Sequence, residues 1–235
     1  MSRLAKTTTK NQILNAIPSA AWARMDEYLE YIDLPQGKLI YEAEEPIELV
    51  YFPDIAIVSV VSTTASGESA EAGLIGLEGM TGVEALFDGP LALNREIVQL
   101  PGHGYRAHLS KIKEEFAQGG PFQAAVLIFT RSMLGQMSQT ALCNRLHVAE
   151  QRLAKWLLMV RDRAETDVLP ITQEFAALML GANRVTLTQA AGQLQDNGFI
   201  EYKRGVITIR DRQGLEGYAC DCYERIRSEY LRYAQ

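Results

Sequence analysis

The chain has 235 residues, enough for one large domain or two modest ones, and nearly half of them (47%) are hydrophobic, which excludes a disordered chain. No apolar run approaches the roughly 20 residues of a membrane span, and the opening MSRLAKTTTKNQIL lacks the apolar core of a signal peptide. Three cysteines, Cys143, Cys220 and Cys222, make no disulfide framework, so a cytoplasmic, reducing location is expected. The net charge of −6 disfavours non-specific attraction to nucleic acid, but its distribution matters. Residues 1–147 hold 11 Lys/Arg against 17 Asp/Glu, whereas residues 148–235 hold 12 of each, with five basic and three acidic residues between Arg184 and Arg212.

Residues 11–33 place Ile13, Leu14, Ile17, Trp22, Met25, Leu29 and Ile32 at helical spacing. From 37 to about 107 the texture changes to short β-prone stretches (KLIY, ELVYF, AIVSVV, EAGLI, EIVQL) divided by Gly, Pro and Asp. Nine of the 18 glycines fall between Gly37 and Gly104, a density of turns that predicts an antiparallel sandwich, roll or barrel. After Pro121 about 40 residues without proline read as helix. Leu127, Leu134, Ala141 and Val148 recur every seven like a coiled-coil seam. Leu142, Leu146, Ala149, Leu153 and Leu157 follow the three-to-four spacing of a core face. The two stripes lie on different faces, which predicts a break or hinge near Asn144–Val148, with AETDVLP (164–170) as the next connector.

Thr172 is placed to cap a helix with Glu174 in its first turn and Phe175, Leu178 and Met179 facing inward. Gly181 ends it and Asn183 caps the next, a turn short enough for a helix-turn-helix. On the second helix Leu187, Ala190, Ala191 and Leu194 form the inner stripe. Val185, Gln189, Gly192 and Asp196 fall opposite, with Thr188 beside them and Arg184 on the N-terminal flank. These side chains suit a major groove: Arg grips guanine O6 and N7, Gln pairs with adenine, and Val or Thr methyls pack on thymine. GFIEY-KRG-VITI then reads as a β-hairpin whose tip, Lys203 and Arg204 before Gly205, would track phosphates. The DNA-contacting set is therefore Thr172, Asn183, Arg184, Val185, Thr188, Gln189, Lys203 and Arg204.

The stretch ITQEFAALMLGANRVTLTQAAGQLQDNGFIEYKRGVITIRDRQGLE resembles the DNA-binding region of the CRP/FNR superfamily of bacterial transcription regulators, and the likeness extends back to the Gly-rich β region. The resemblance implies an α+β chain in three parts. Residues 11–121 would be a cyclic-nucleotide-binding-like β-roll (jelly roll), 122–147 a dimerisation helix, and 148–235 a winged helix-turn-helix. It also implies three base-reading side chains on the recognition helix. Arg184 fits the first; Val185 stands where Glu is usual and Gln189 where Arg is usual, so the operator of the best-known members is not assumed. The implied partners are double-stranded DNA, a second copy of the chain, RNA polymerase and a small-molecule effector.

The family's phosphate cradle maps onto GMTGVEALFDGPLALNREIVQL, with Glu84 and Arg95 as the candidate effector-binding residues. Val83 takes the expected place of the ribose-binding Glu, Glu84 comes one residue late, and Glu96 follows Arg95 where a hydroxyl is usual, so a cyclic nucleotide is disfavoured. No cofactor and no metal site is expected. Three cysteines cannot supply a four-cysteine iron–sulfur site. Cys220 and Cys222 on one helix would point about 200° apart, and His103, His108 and His147 form no metal motif. Buried thiols are the reading, with redox sensing as the alternative. No catalytic constellation appears, so an enzyme is not expected. Against the DNA-binding reading stands a dimeric sensor whose winged helix binds protein, favoured by the net negative charge.

Overall fold

A computed structural model describes residues 9–87 and 89–233, with side chains described to residue 230. Chain compactness separates two units. One holds the residues up to Val60 together with Ile75–Met133; the other holds Val61–Leu74 and Leu134–Arg232.

The first unit opens with two short helices, α1 (Gln12–Ala16) and α2 (Ser19–Met25), before strand β1 (Glu30–Leu34). The single helical pattern expected over 11–33 is thus divided. Pro18 fixes an extended backbone between the helices, and Ile32 belongs to a strand paired with β7 (Gly102–His108). The remaining strands are β2 (Leu39–Tyr41), β3 (Leu49–Pro53), β4 (Ile57–Thr63), β5 (Ser69–Ile75) and β6 (Arg95–Leu100). They form an antiparallel roll of two sheets, ordered β1-β7-β3 and β2-β6-β4-β5. The second sheet ends in β5, whose hairpin with β4 runs into the second unit. Tyr41 on β2 ties the sheets together: its hydroxyl donates to the Leu49 carbonyl at 2.5 Å and lies 2.9 Å from Thr81 Oγ1.

Asn11 pins the entry to this roll. Its Oδ1 caps α1 by accepting from the Leu14 N–H at 3.2 Å. Its amide donates to the carbonyls of Pro53 (2.9 Å) and Gly79 (2.8 Å), and its own N–H donates to Asp54 at 3.0 Å. Gly79 is required for a different reason: a Cβ there would run into the ring of Phe129.

Helix α3 (Leu109–Ala117) leads to the 27-residue α4 (Gly120–Leu146). The heptad series is solvent-facing within one chain: Leu127 is 46% exposed, Leu134 62% and Val148 60%. The second stripe is not uniformly core, because Leu142 and Leu146 are 48% and 63% exposed and burial begins only at Leu153 and Leu157. The helix breaks between the stripes. His147 and Val148 separate α4 from α5 (Ala149–Ala164), and Val148 is extended at φ −70, ψ 159. Strand β8 (Val168–Leu169), helices α6 (Gln173–Leu180) and α7 (Arg184–Asp196), strands β9 (Ile200–Lys203) and β10 (Val206–Ile209), and helices α8 (Arg212–Tyr218) and α9 (Cys222–Tyr233) complete the second unit. Its small sheet has the order β8-β10-β9. Among the described residues no helix is long and apolar enough to cross a membrane.

Removing the buried Asn11 amide leaves two carbonyls and one helix N–H without partners. Asn11→Ala is expected to lower unfolding free energy by about 2–3 kcal/mol, read as a lower midpoint in urea at unchanged slope.

Candidate nucleic-acid interface

The candidate interface begins with the phase of α6. Thr172 caps the helix, its Oγ1 accepting from the Phe175 N–H at 3.1 Å. The residues turned inward are Ala176, Ala177, Met179 and Leu180. Phe175 is only half-buried and Leu178 is 42% exposed, a correction to the expected inward set. The cause is helical phase: at about 100° per residue the four buried positions share one arc, and Phe175 and Leu178 fall outside it.

Gly181 ends the helix in the left-handed region at φ 57, and a Cβ there would meet Ala70 Cβ at 2.9 Å, so both backbone and space demand glycine. The Arg152 guanidinium on α5 donates to the Leu180 carbonyl, placing a cation at the negative end of α6. Asn183 then starts α7, its side chain accepting from the Thr186 N–H at 2.9 Å.

On α7 the stripe Leu187, Ala190, Ala191 and Leu194 is buried, and the helix packs against α5. Helical periodicity therefore turns Arg184, Val185, Thr188 and Gln189 outward, and all four are exposed, Val185 by 66%. The Thr188 hydroxyl donates to the Arg184 carbonyl at 2.8 Å, so its proton is spent inside the helix. Gly198, at φ 77, stops α7, with the Phe199 N–H returning to the Leu194 carbonyl at 3.0 Å.

Strands β9 and β10 follow as a two-residue hairpin whose corner residues, Arg204 (φ 50) and Gly205 (φ 80), both have positive φ. That geometry is a turn whose twist matches the strands, and Arg is an uncommon choice for its first corner. The hairpin is held to both helices. Tyr202 OH accepts from the Gln173 N–H at 3.0 Å, and the Tyr202 N–H donates to Gln195 Oε1 at 3.0 Å. A Cβ on Gly205 would lie 3.7 Å from Thr172 Cγ2, so the cap of α6 stands beside the hairpin tip.

The five basic residues between Arg184 and Arg212 divide into two groups. Arg210 is bound by Glu201, whose carboxyl that bond lowers. Arg212 is bound by Asp162 (3.1 Å) and Glu216 (2.9 Å). Arg184, Lys203 and Arg204 are exposed and have no ion-pair partner among the described residues. The uncommitted positive charge thus belongs to the start of α7 and the hairpin tip. Asn183 and Thr172 complete the face as exposed caps.

In the first unit the candidate effector residues are already occupied. Arg95 pairs with Glu42 at 2.8 Å, and Glu84 Oε1 accepts from the Leu93 N–H at 3.3 Å. Between them Glu96 is buried, 3% exposed. Burial raises its carboxyl well above the usual range and the charge of Glu84 adds to this, against a hydrogen bond from the Gly82 backbone.

A further group of side chains converges where the sequence showed only separate cysteines. Cys143, His147, Cys220 and Cys222 bring one sulfur or nitrogen atom each to within 4.8 Å of one another. The expected 200° divergence of Cys220 and Cys222 assumed one continuous helix. Instead Cys220 precedes α9 and Cys222 begins it, so the two thiols come from different backbone geometries. The sequence reading missed this group; the four-residue step from Cys143 to His147, one helical turn, is the local signal that could have found part of it. The hydrogen bond between Cys143 and Cys220 lowers the Cys143 thiol to about 5 and raises that of Cys220.

Comparison with known proteins bears on the second unit first: residues 151–218 match the family model of the Crp-like helix-turn-helix domain. Among solved structures, a transcriptional regulator of the CRP/FNR family from Eubacterium rectale superposes with a TM-score of 0.67 at 16% identity, covering 88% of this chain and 96% of that one. FixK2 from Bradyrhizobium japonicum gives 0.67 at 17% identity, covering 82% and 98%. A CRP-family transcriptional regulator from Thermus thermophilus gives 0.68 at 16%, covering 80% and 96%. Among curated proteins none matches the chain in sequence.

The Glu96 carboxyl yields a pH prediction. Between the unfolded value of about 4.3 and its raised folded value, the native state keeps a proton that the unfolded chain has lost. Stability therefore falls as pH rises through that window. Glu96→Gln removes the slope, and its melting temperature relative to the parent should rise as pH increases above the unfolded value until the folded carboxyl itself ionises.

Proposed function

Because this chain has the fold of the CRP/FNR regulators and carries their helix-turn-helix domain, we propose that it regulates transcription as a cytoplasmic homodimer, reading a pseudo-palindromic operator in double-stranded DNA. The observation that carries the reading is the division of charge. Of the five basic residues between Arg184 and Arg212, the three with no ion-pair partner among the described residues (Arg184, Lys203 and Arg204) lie on the outward face of α7 and at the hairpin tip, in a chain of net charge −6.

Their roles differ. Arg184, at the N-terminal end of α7, is placed for guanine O6 and N7. Gln189, one turn further on, is placed for adenine, while Val185 and Thr188 offer methyl groups to thymine. Lys203 and Arg204, with the Thr172 and Asn183 caps, lie at phosphate positions. A second copy would pair along the exposed stripe of Leu127, Leu134, Ala141 and Val148, setting half-sites about 34 Å apart. In the first unit Arg95 is paired with Glu42 and Glu96 is buried, which disfavours a cyclic phosphate at the cradle and favours an effector of another chemical class. The acidic total charge favours the second reading, a dimeric sensor whose winged helix binds protein.

Selection from a random duplex pool at about 100 mM salt, run with and without cyclic AMP, tests the proposal. A two-fold motif recovered equally in both arms supports it; an unstructured pool even with cell extract supports the protein-binding reading, and a motif that needs cyclic AMP overturns the effector assignment. On the selected site, Arg184→Ala should cost roughly 1–3 kcal/mol and relax one base pair per half-site. Lys203→Ala should weaken all sequences alike and reduce the salt slope by about one. Equal loss on selected and random DNA for Arg184→Ala would refute its base-reading role.

The dimer is tested separately. Leu134→Glu puts a charge into the proposed seam, and sedimentation should then shift from dimer to monomer while the circular dichroism of each chain is kept.

A further inference from the structure

We propose that Cys143, His147, Cys220 and Cys222 form a mononuclear zinc site that fixes the α4–α5 break to the α8–α9 junction. The proposal rests on these four residues and is independent of the DNA-binding reading.

The spacing of the donor atoms is the first argument. Cys143 Sγ and Cys220 Sγ are 3.5 Å apart, Cys222 Sγ and His147 Nδ1 are 3.4 Å apart, and all four donors lie within 4.8 Å. Zinc bonds of about 2.3 Å to sulfur and about 2.0–2.1 Å to nitrogen give a tetrahedron with edges of about 3.4–3.8 Å. Two donor pairs already have that spacing, and a contraction of about 1 Å at most would bring all four donors onto a single tetrahedral ion. An iron–sulfur cluster places its own sulfides between several irons and spreads its ligands more widely. A Cys143–Cys220 disulfide would use two of the four groups and leave the convergence of the other two without a cause.

The donor set is the second argument. Three soft sulfurs and one imidazole, with all three cysteines buried, match a closed structural zinc site and leave no position for substrate.

The surroundings are the third. With Nδ1 of His147 turned to the cluster, its Nε2 lies 3.6 Å from Asp221 Oδ1, from where a small closure would complete a carboxylate–histidine–metal arrangement. Gln139 Nε2 donates to Cys222 Sγ at 3.1 Å. Zinc with three thiolates and a neutral imidazole carries one negative charge. Lys155, 5% exposed, and Arg152 both interact favourably with the Cys143 sulfur from α5.

The backbone explains how distant residues meet. Cys143 lies in the last turn of α4, and the His147 N–H continues that turn to the Cys143 carbonyl at 3.1 Å. Cys220 and Cys222 straddle the start of α9, where the Tyr223 N–H closes on the Cys220 carbonyl at 3.0 Å. Zinc would thus cross-link segments more than 70 residues apart at the point where the long helix is interrupted.

The test uses the full chain, purified under reducing conditions and desalted. Elemental analysis is expected to give about one zinc per chain. Cobalt added to chelator-stripped protein should give the absorption of a tetrahedral, thiolate-bound ion. Cys220→Ser and His147→Ala, the latter at a side chain 23% exposed, should each lose stoichiometric zinc while keeping the parent circular dichroism. Asp221→Ala, which removes the carboxylate beside His147 and Cys222 but none of the four donors, should keep the stoichiometry but lose zinc to a competing chelator about tenfold more readily. The proposal is overturned by reduced protein that holds no zinc and gives no thiolate–cobalt spectrum. Sub-stoichiometric zinc unaffected by the variants overturns it too, as does iron with acid-labile sulfide in protein purified without oxygen. A Cys143–Cys220 disulfide with no metal uptake after reduction does the same.

Discussion

The burial of one small-residue stripe, Leu187, Ala190, Ala191 and Leu194, governs the second unit. A helix can bury only about a third of its circumference without becoming wholly internal. Once that stripe is seated against α5, the angular positions of all the other side chains on α7 follow. Arg184, Val185, Thr188 and Gln189 face outward because Leu187 and Leu194 face inward, and alanines rather than larger residues at 190 and 191 keep the helix close to its support. The caps act on the same constraint. Gly181 and Asn183 end one helix and start the next within three residues, so the turn has no slack through which α7 could rotate.

Electrostatics then select a working surface from an acidic chain. Arg210 and Arg212 are spent on Glu201, Asp162 and Glu216, which fastens β9 to the strand end after β10 and α8 to α5. Arg184, Lys203 and Arg204 have no ion-pair partner among the described residues. The left-handed Arg204 is informative here, since an Asn or Gly would fit that corner with less backbone strain.

The roll of the first unit shows the opposite outcome. At the cradle expected from the sequence, Arg95 and Glu84 already have partners within the chain. Arg95 is taken by Glu42, Glu84 by a backbone N–H, and Glu96 is buried beside them. A phosphate entering there would have to displace an ion pair and approach two carboxyl groups.

Much of this was legible in local sequence. Helix period, the Thr172 and Asn183 caps, glycine at 181 and the KRG turn are decided by residues within one or two turns of each other, so the winged helix-turn-helix and the outward residues of α7 could be read from the chain alone. Short-range rules also place the break between α4 and α5, where two apolar stripes change face. They failed where the answer depends on what lies across the fold. Leu142 and Leu146 carry a core-like spacing yet stay exposed, because spacing selects a face and only a neighbouring element can cover it. Which arginines are free was likewise undecided until Asp162, fifty residues from Arg212, arrived beside it. The cysteines make the same point most sharply. A Cys-x-Cys and a Cys-x₃-His far apart in the chain carry little meaning separately, and the tertiary structure, by bringing the end of α4 to the start of α9, turns them into one four-donor site.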